Sequence, residues 1–141
     1  MRRLIVAPIA ALVLSLLSVS GCGSDTSIAP TQVSVAGTWN LSTINGLPLP
    51  FTIQAANPKI EYLNEQLIVS TSGTFTQTYS ARYTTNGVVS TQAFADAGTY
   101  VLNGTAATFR FNSDGSSGTG TVSGSTLTVA EGGYSQVYTK Q

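Results

Sequence analysis

The stretch from Thr74 to Tyr83 limits the fold more than any other part of the chain. Phe75, Gln77, Tyr79, Ala81 and Tyr83 take one set of alternate positions, and Thr74, Thr76, Thr78, Ser80 and Arg82 take the other. A two-residue repeat with apolar groups on one side and hydroxyls on the other describes a strand with one buried face. A helix would scatter the same residues around its whole circumference. Asn86-Gly87 then separates this segment from Val88–Phe94, and Asn-Gly between two such runs is the strongest short-range hairpin signal.

The same grammar runs through most of the chain. Trp39, Leu41 and Thr43 alternate with Thr38, Asn40 and Ser42, followed by a turn at Asn45-Gly46, an extended connection over Leu47–Pro50 and alternation again at Phe51-Thr52-Ile53. Residues 57–66 allow two readings. Asn57-Pro58 would start a short helix over Lys59–Leu63, or the segment extends as a strand into Leu67-Ile68-Val69; the strand is preferred. Asp96-Ala97-Gly98 predicts a turn, and Asn103-Gly104 another. Strands are expected at Thr99–Leu102, Ala106–Phe111, Thr119–Val122, Thr126–Val129 and Tyr134–Tyr138, with a polar loop at Ser113–Gly118. The sum is an all-β domain of roughly eight to ten short antiparallel strands. Successive hairpins favour an up-and-down antiparallel β-barrel, because closure removes the exposed edges that invite aggregation.

The first quarter of the chain reads differently. Arg2 and Arg3 precede an apolar run from Leu4 to Leu17, which small residues follow up to Cys22, the only cysteine. The run is shorter than the roughly 20 residues of a membrane span and has the form of a secretory signal. Val19-Ser20-Gly21-Cys22 resembles a bacterial lipobox. The resemblance implies a signal peptide over 1–21, diacylglycerol and palmitate-type acylation on Cys22, and a lipoprotein anchored in the cell envelope. An ordinary secretory signal with an incidental thiol is the competing reading, although a lone thiol is a liability in an oxidising compartment. Gly23 follows the cysteine where enteric inner-membrane lipoproteins carry aspartate, so the periplasmic face of the outer membrane is the favoured address. Residues 22–34 read as a flexible tether of small and polar residues, and 35–141 as the barrel domain.

Composition narrows the function. Without Arg2 and Arg3 the basic groups are Lys59, Arg82, Arg110 and Lys140, against Asp25, Glu61, Glu65, Asp96, Asp114 and Glu131. Such a chain has no basic stripe for phosphates, and nucleic acid is not an expected partner. There is no histidine, so no Ser-His or Cys-His pair can form. A transition-metal site would need scattered carboxylates alone. Neither a metal, a cofactor nor an enzymatic activity is expected.

Gly37-Thr38-Trp39 on the first strand resembles the opening motif of lipocalins and the wider calycin group. The run from Gly118 to Val129 with Tyr134–Lys140 is similar to the closing strands of small bacterial lipocalin-like lipoproteins. This resemblance implies a closed barrel with the tryptophan near one end, covered by a basic side chain; Arg110 and Lys140 are the candidates. The chain is shorter than secreted lipocalins and lacks their disulfide cysteines. Gly37–Leu41 with Ile44-Asn45-Gly46 also resembles the start of the META domain, whose later Gly-Cys-Asn segment has no counterpart here.

The candidate ligand-binding residues are Trp39, Phe75, Gln77, Tyr79, Tyr83, Phe94, Tyr100, Phe109 and Phe111. Aromatics on inward faces either line an apolar cavity or fill the core, and Gln77 among them needs a hydrogen-bond partner. Asp96 and Asp114 are expected to serve turns. Two functions stay open: a lipid-anchored envelope protein binding a small apolar or amphipathic ligand, or an envelope interaction, assembly or stress-protection module with a filled barrel and an unknown protein partner.

Overall fold

The computed structural model describes residues 33–141. The predicted signal, Cys22 and all of the tether before Val33 lie outside the described residues. Ten strands follow in order: β1 (Gly37–Ile44), β2 (Leu47–Pro48), β3 (Phe51–Gln54), β4 (Lys59–Val69), β5 (Thr74–Thr85), β6 (Val88–Asn103), β7 (Ala106–Phe111), β8 (Ser117–Ser123), β9 (Thr126–Glu131) and β10 (Tyr134–Lys140). Among the described residues there is no helix, so residues 59–66 take the extended alternative. Consecutive antiparallel pairing runs from β4 to β10, β10 pairs with β1, and β1 pairs with β4. Eight strands thus close an up-and-down barrel, as the hairpin series predicts.

The closure is uneven, and this shapes the interior. Gly37–Asn40 of β1 meets Gln66–Val69 of β4, but the pairing stops there. Towards the opposite end β1 and β4 part; β2 adds to β1 and β3 adds to β4. The barrel is therefore tightly sealed at the end holding Trp39 and splayed at the end holding Ile44 and Lys59.

One predicted turn is overturned. Asp96-Ala97-Gly98 lies inside β6, which runs unbroken for 16 residues. β5 pairs with β6 along its whole length, from Thr74↔Thr99 to Thr85↔Val88, and this continuous ladder outweighs the local turn preference of Asp and Gly. Gly98 serves packing instead. A Cβ there would sit 2.0 Å from the Arg110 carbonyl oxygen and 2.6 Å from the Phe75 ring. The ring occupies the space that the missing side chain leaves.

The sealed half is a conventional core. Trp39, Phe75, Phe109, Val122, Leu127 and Val35 are buried together, and Phe75 meets Phe109 and Phe111 edge to face at 5.4 and 5.1 Å. β8 contributes Gly118 and Gly120 to the inward face, where Cβ atoms would crowd Val129, Phe109 and Leu127 at 3.1–3.2 Å.

Candidate functional site

Trp39 marks the closed end. Its indole nitrogen donates to the Val35 carbonyl at 2.7 Å, and Lys140 Nζ lies 5.1 Å from the ring centroid. Of the two basic candidates, Lys140 covers the tryptophan, whereas Arg110 is exposed on β7. The glycine two residues before the tryptophan has a physical reason. The φ of Gly37, +137°, is one that L side chains rarely adopt, and a Cβ there would meet Lys140 Cε at 2.6 Å, so glycine suits both the backbone and the lysine stem that crosses towards the ring.

Above this core lies a polar floor. Glu65 is 3% exposed. Its carboxylate accepts from Tyr62 Oη at 2.7 Å, Gln77 Nε2 at 2.6 Å and Tyr138 Oη at 2.6 Å. Gln77 thus finds its required partner in a carboxylate. Burial and the adjacent Glu65 raise the pKa of Tyr62 and Tyr138 above the ordinary phenol value, so both phenols keep their protons and remain donors. The network depends on a bulge in β4 between Tyr62 and Asn64. Residues three apart on a regular strand face opposite sides; the extra residue turns both Tyr62 and Glu65 inward.

Between this floor and the splayed rim the interior opens into a cavity of about 630 Å³. One wall is an aromatic ladder across β4, β5 and β6: Tyr62 stacks on Tyr79 at 5.2 Å, and Tyr79 on Phe94 at 4.9 Å. Phe51 of β3 and Tyr134 of β10 meet edge to face at 5.9 Å and form another part of the lining. Tyr83, Ile53 and Ile60 extend the wall towards the rim. There Asn57 receives and donates hydrogen bonds with Asn86 at 3.1 and 2.5 Å, clamping the β3–β4 loop to the hairpin tip.

Of the candidate ligand-binding residues, Gln77, Tyr79, Tyr83, Phe94 and Phe111 come together on the cavity lining. Trp39, Phe75 and Phe109 belong to the packed half. Tyr100 reaches to the Ser70 carbonyl at the closed end, at 2.7 Å.

The lining also holds residues that alternation did not reveal: Tyr62, Phe51, Tyr134, Asp96 and Glu131. Asp96, expected in a turn, faces inward and accepts from Ser113 Oγ at 2.5 Å. Asp114 does serve a turn, accepting from the Ser116 amide at 2.8 Å; that bond holds its carboxyl below the usual range. Burial, followed by the charges of Glu65, Asp114 and Asp96, pushes the Glu131 carboxyl up to about 7.

These features define a closed eight-stranded up-and-down barrel, half packed and half hollow, a form compatible with a lipocalin-like fold. Neither a protein-family model nor a curated protein matches the chain.

Proposed function

We infer that this is a lipid-anchored envelope protein whose barrel holds a small apolar or amphipathic molecule in its open half. The observation that carries the reading is the 630 Å³ cavity above the Glu65 floor. Its volume falls in the range of small-molecule sites, and its lining joins aromatic walls to polar side chains, among them Gln77, Gln136 and three carboxyl groups, which suits an amphipathic molecule. A filled barrel would leave no such space. The chain acts by binding, without chemistry of its own. Its tether is the acylated Cys22, since two or more acyl chains hold a protein stably at about 0.8 kcal/mol per buried CH₂.

Native mass spectrometry of the full-length protein tests the cavity. A co-purifying small molecule is expected, and its loss in Tyr79→Ala would place it against the aromatic ladder. A bare protein that also fails to take up a neutral solvatochromic dye would overturn the binding reading. That result would favour the interaction module, for which Val88 and Val89, 71% and 59% exposed at the hairpin tip, offer an apolar contact. For the anchor, Cys22→Ser is expected to move the protein from the membrane to the soluble fraction or to stall its processing. A variant that stays membrane-bound and normally processed would sink that part.

A further inference from the structure

The charges of the cavity are all of one sign. Asp96, Asp114 and Glu131 contribute to its lining, and no lysine or arginine does. Three of the four basic groups of the barrel have partners outside this lining. Lys59 and Arg82 both bind Glu61, at 2.8 and 2.9 Å, on the opposite face of β4 from Tyr62. Arg110 is exposed, and Lys140 sits over Trp39 at the closed end. Glu131 makes no salt bridge or side-chain hydrogen bond among the described residues. The aromatic ladder of Tyr62, Tyr79 and Phe94 lies in the same cavity.

We propose that the ligand is an organic cation: an apolar or aromatic body carrying an amine or a quaternary ammonium. This rests on the reading of the cavity as a small-molecule site and names the chemistry it selects. Three physical reasons converge. The stacked aromatic wall of Tyr62, Tyr79 and Phe94 buries the apolar or aromatic body of such a ligand. Carboxylates in a partly dehydrated cleft supply an opposite charge that water screens only in part. An anionic head, such as a fatty-acid carboxylate, would be placed among like charges with no cation to neutralise it, and repulsion of that kind discriminates as strongly as attraction does.

The test uses three matched probes on full-length protein in phosphatidylcholine nanodiscs: 3-phenylpropyl-trimethylammonium, 3-phenylpropanol and 3-phenylpropanoate. Isothermal titration calorimetry, with empty nanodiscs subtracted, reads the affinities. The cation is expected to bind at least tenfold more tightly than the alcohol, and the carboxylate most weakly. In Asp96→Asn/Asp114→Asn/Glu131→Gln the cation should fall to the level of the alcohol while the alcohol is unchanged. Trp39, at the far end, reports by its emission that this variant is folded; if it is not, the single Glu131→Gln variant, expected to lose part of the preference, takes its place. Equal binding of cation and alcohol, or tighter binding of the carboxylate, would overturn the cation assignment while leaving the cavity reading intact. Binding of none of the three would also overturn it, and the mass-spectrometric result then decides separately whether the cavity holds another kind of molecule.

Discussion

Glu65 shows what one residue does in this barrel. It is a buried carboxylate satisfied by two phenols and an amide rather than by a cation, and hydrogen bonds to a charged acceptor contribute more than neutral ones. Glu65→Ala would leave the hydroxyls of Tyr62 and Tyr138 and the Gln77 amide without their acceptor, at about 1–3 kcal/mol for each that water cannot reach. A loss of about 2–4 kcal/mol is expected from the shift of the urea midpoint, and Glu65→Gln should lose less because it keeps one acceptor oxygen. An unchanged midpoint in the alanine variant would show that the network contributes nothing net. Lys140 over Trp39 is a smaller effect: cation–π contacts at exposed sites give about 0.5–1 kcal/mol, and Lys140→Met should cost no more than that.

At the scale of the element, the β5–β6 ladder positions the cavity wall. Its register places Tyr79 opposite Phe94 and Gln77 opposite Asp96, so a slip of β6 by one residue against β5 would turn Phe94 and Asp96 outward and break both pairs. Gly98 pins that register, because the Phe75 ring lies against it. Gly98→Ala forces a Cβ towards the Arg110 carbonyl, which belongs to the backbone and cannot rotate away. Overpacking costs about 1–3 kcal/mol, and the upper part of that range is expected in thermal or urea denaturation. Gly46→Ala meets nothing within 4 Å; any cost there comes from its positive φ of 77° alone. The comparison separates crowding from backbone strain.

For the whole molecule, two carboxylates give stability a maximum in pH. Glu61, hydrogen-bonded by Arg82 and then by Lys59, is held at about 2 against an ordinary 4.5. The unfolded chain binds more protons there, so this contribution is complete above about pH 4.5 and is lost as pH falls towards 2. Glu131 is raised to about 7. The folded state now binds the extra proton, so its stabilising share is present below about 4.5 and is lost as pH rises to 7. The apparent Tm is expected to peak near pH 4.5–5. Glu131→Gln should remove the upper slope and Glu61→Gln the lower one; a Tm that climbs steadily from pH 4.5 to 7 in the parent protein would contradict the Glu131 environment. Affinity for the cationic probe should likewise fall on acidification through pH 7. The groups facing Glu131 in that experiment are Glu65, Asp96 and Asp114, with the Tyr62 and Tyr79 phenols held neutral by burial.

Alternation along the chain was enough to predict most of the strands and turns and the inward placement of Phe75, Gln77, Tyr79 and Phe111, because each depends on neighbours in sequence and on the two-residue period of the pleat. Glu65 escaped that reading because the bulge at Tyr62–Asn64 breaks the period, and a bulge is decided by pairing with β5 rather than by local composition. Asp96 and Gly98 carry a turn preference that the long ladder overrides. Phe51 and Tyr134 are far apart in sequence and meet only after closure. The chemistry of the strands, one face aromatic and the other hydroxylated, was thus written into the amino-acid order. Which half of the interior is packed, and which stays open above a buried carboxylate, was decided only when β1 and β4 met at one end and parted at the other, since the space inside a closed sheet is a property of all its strands at once.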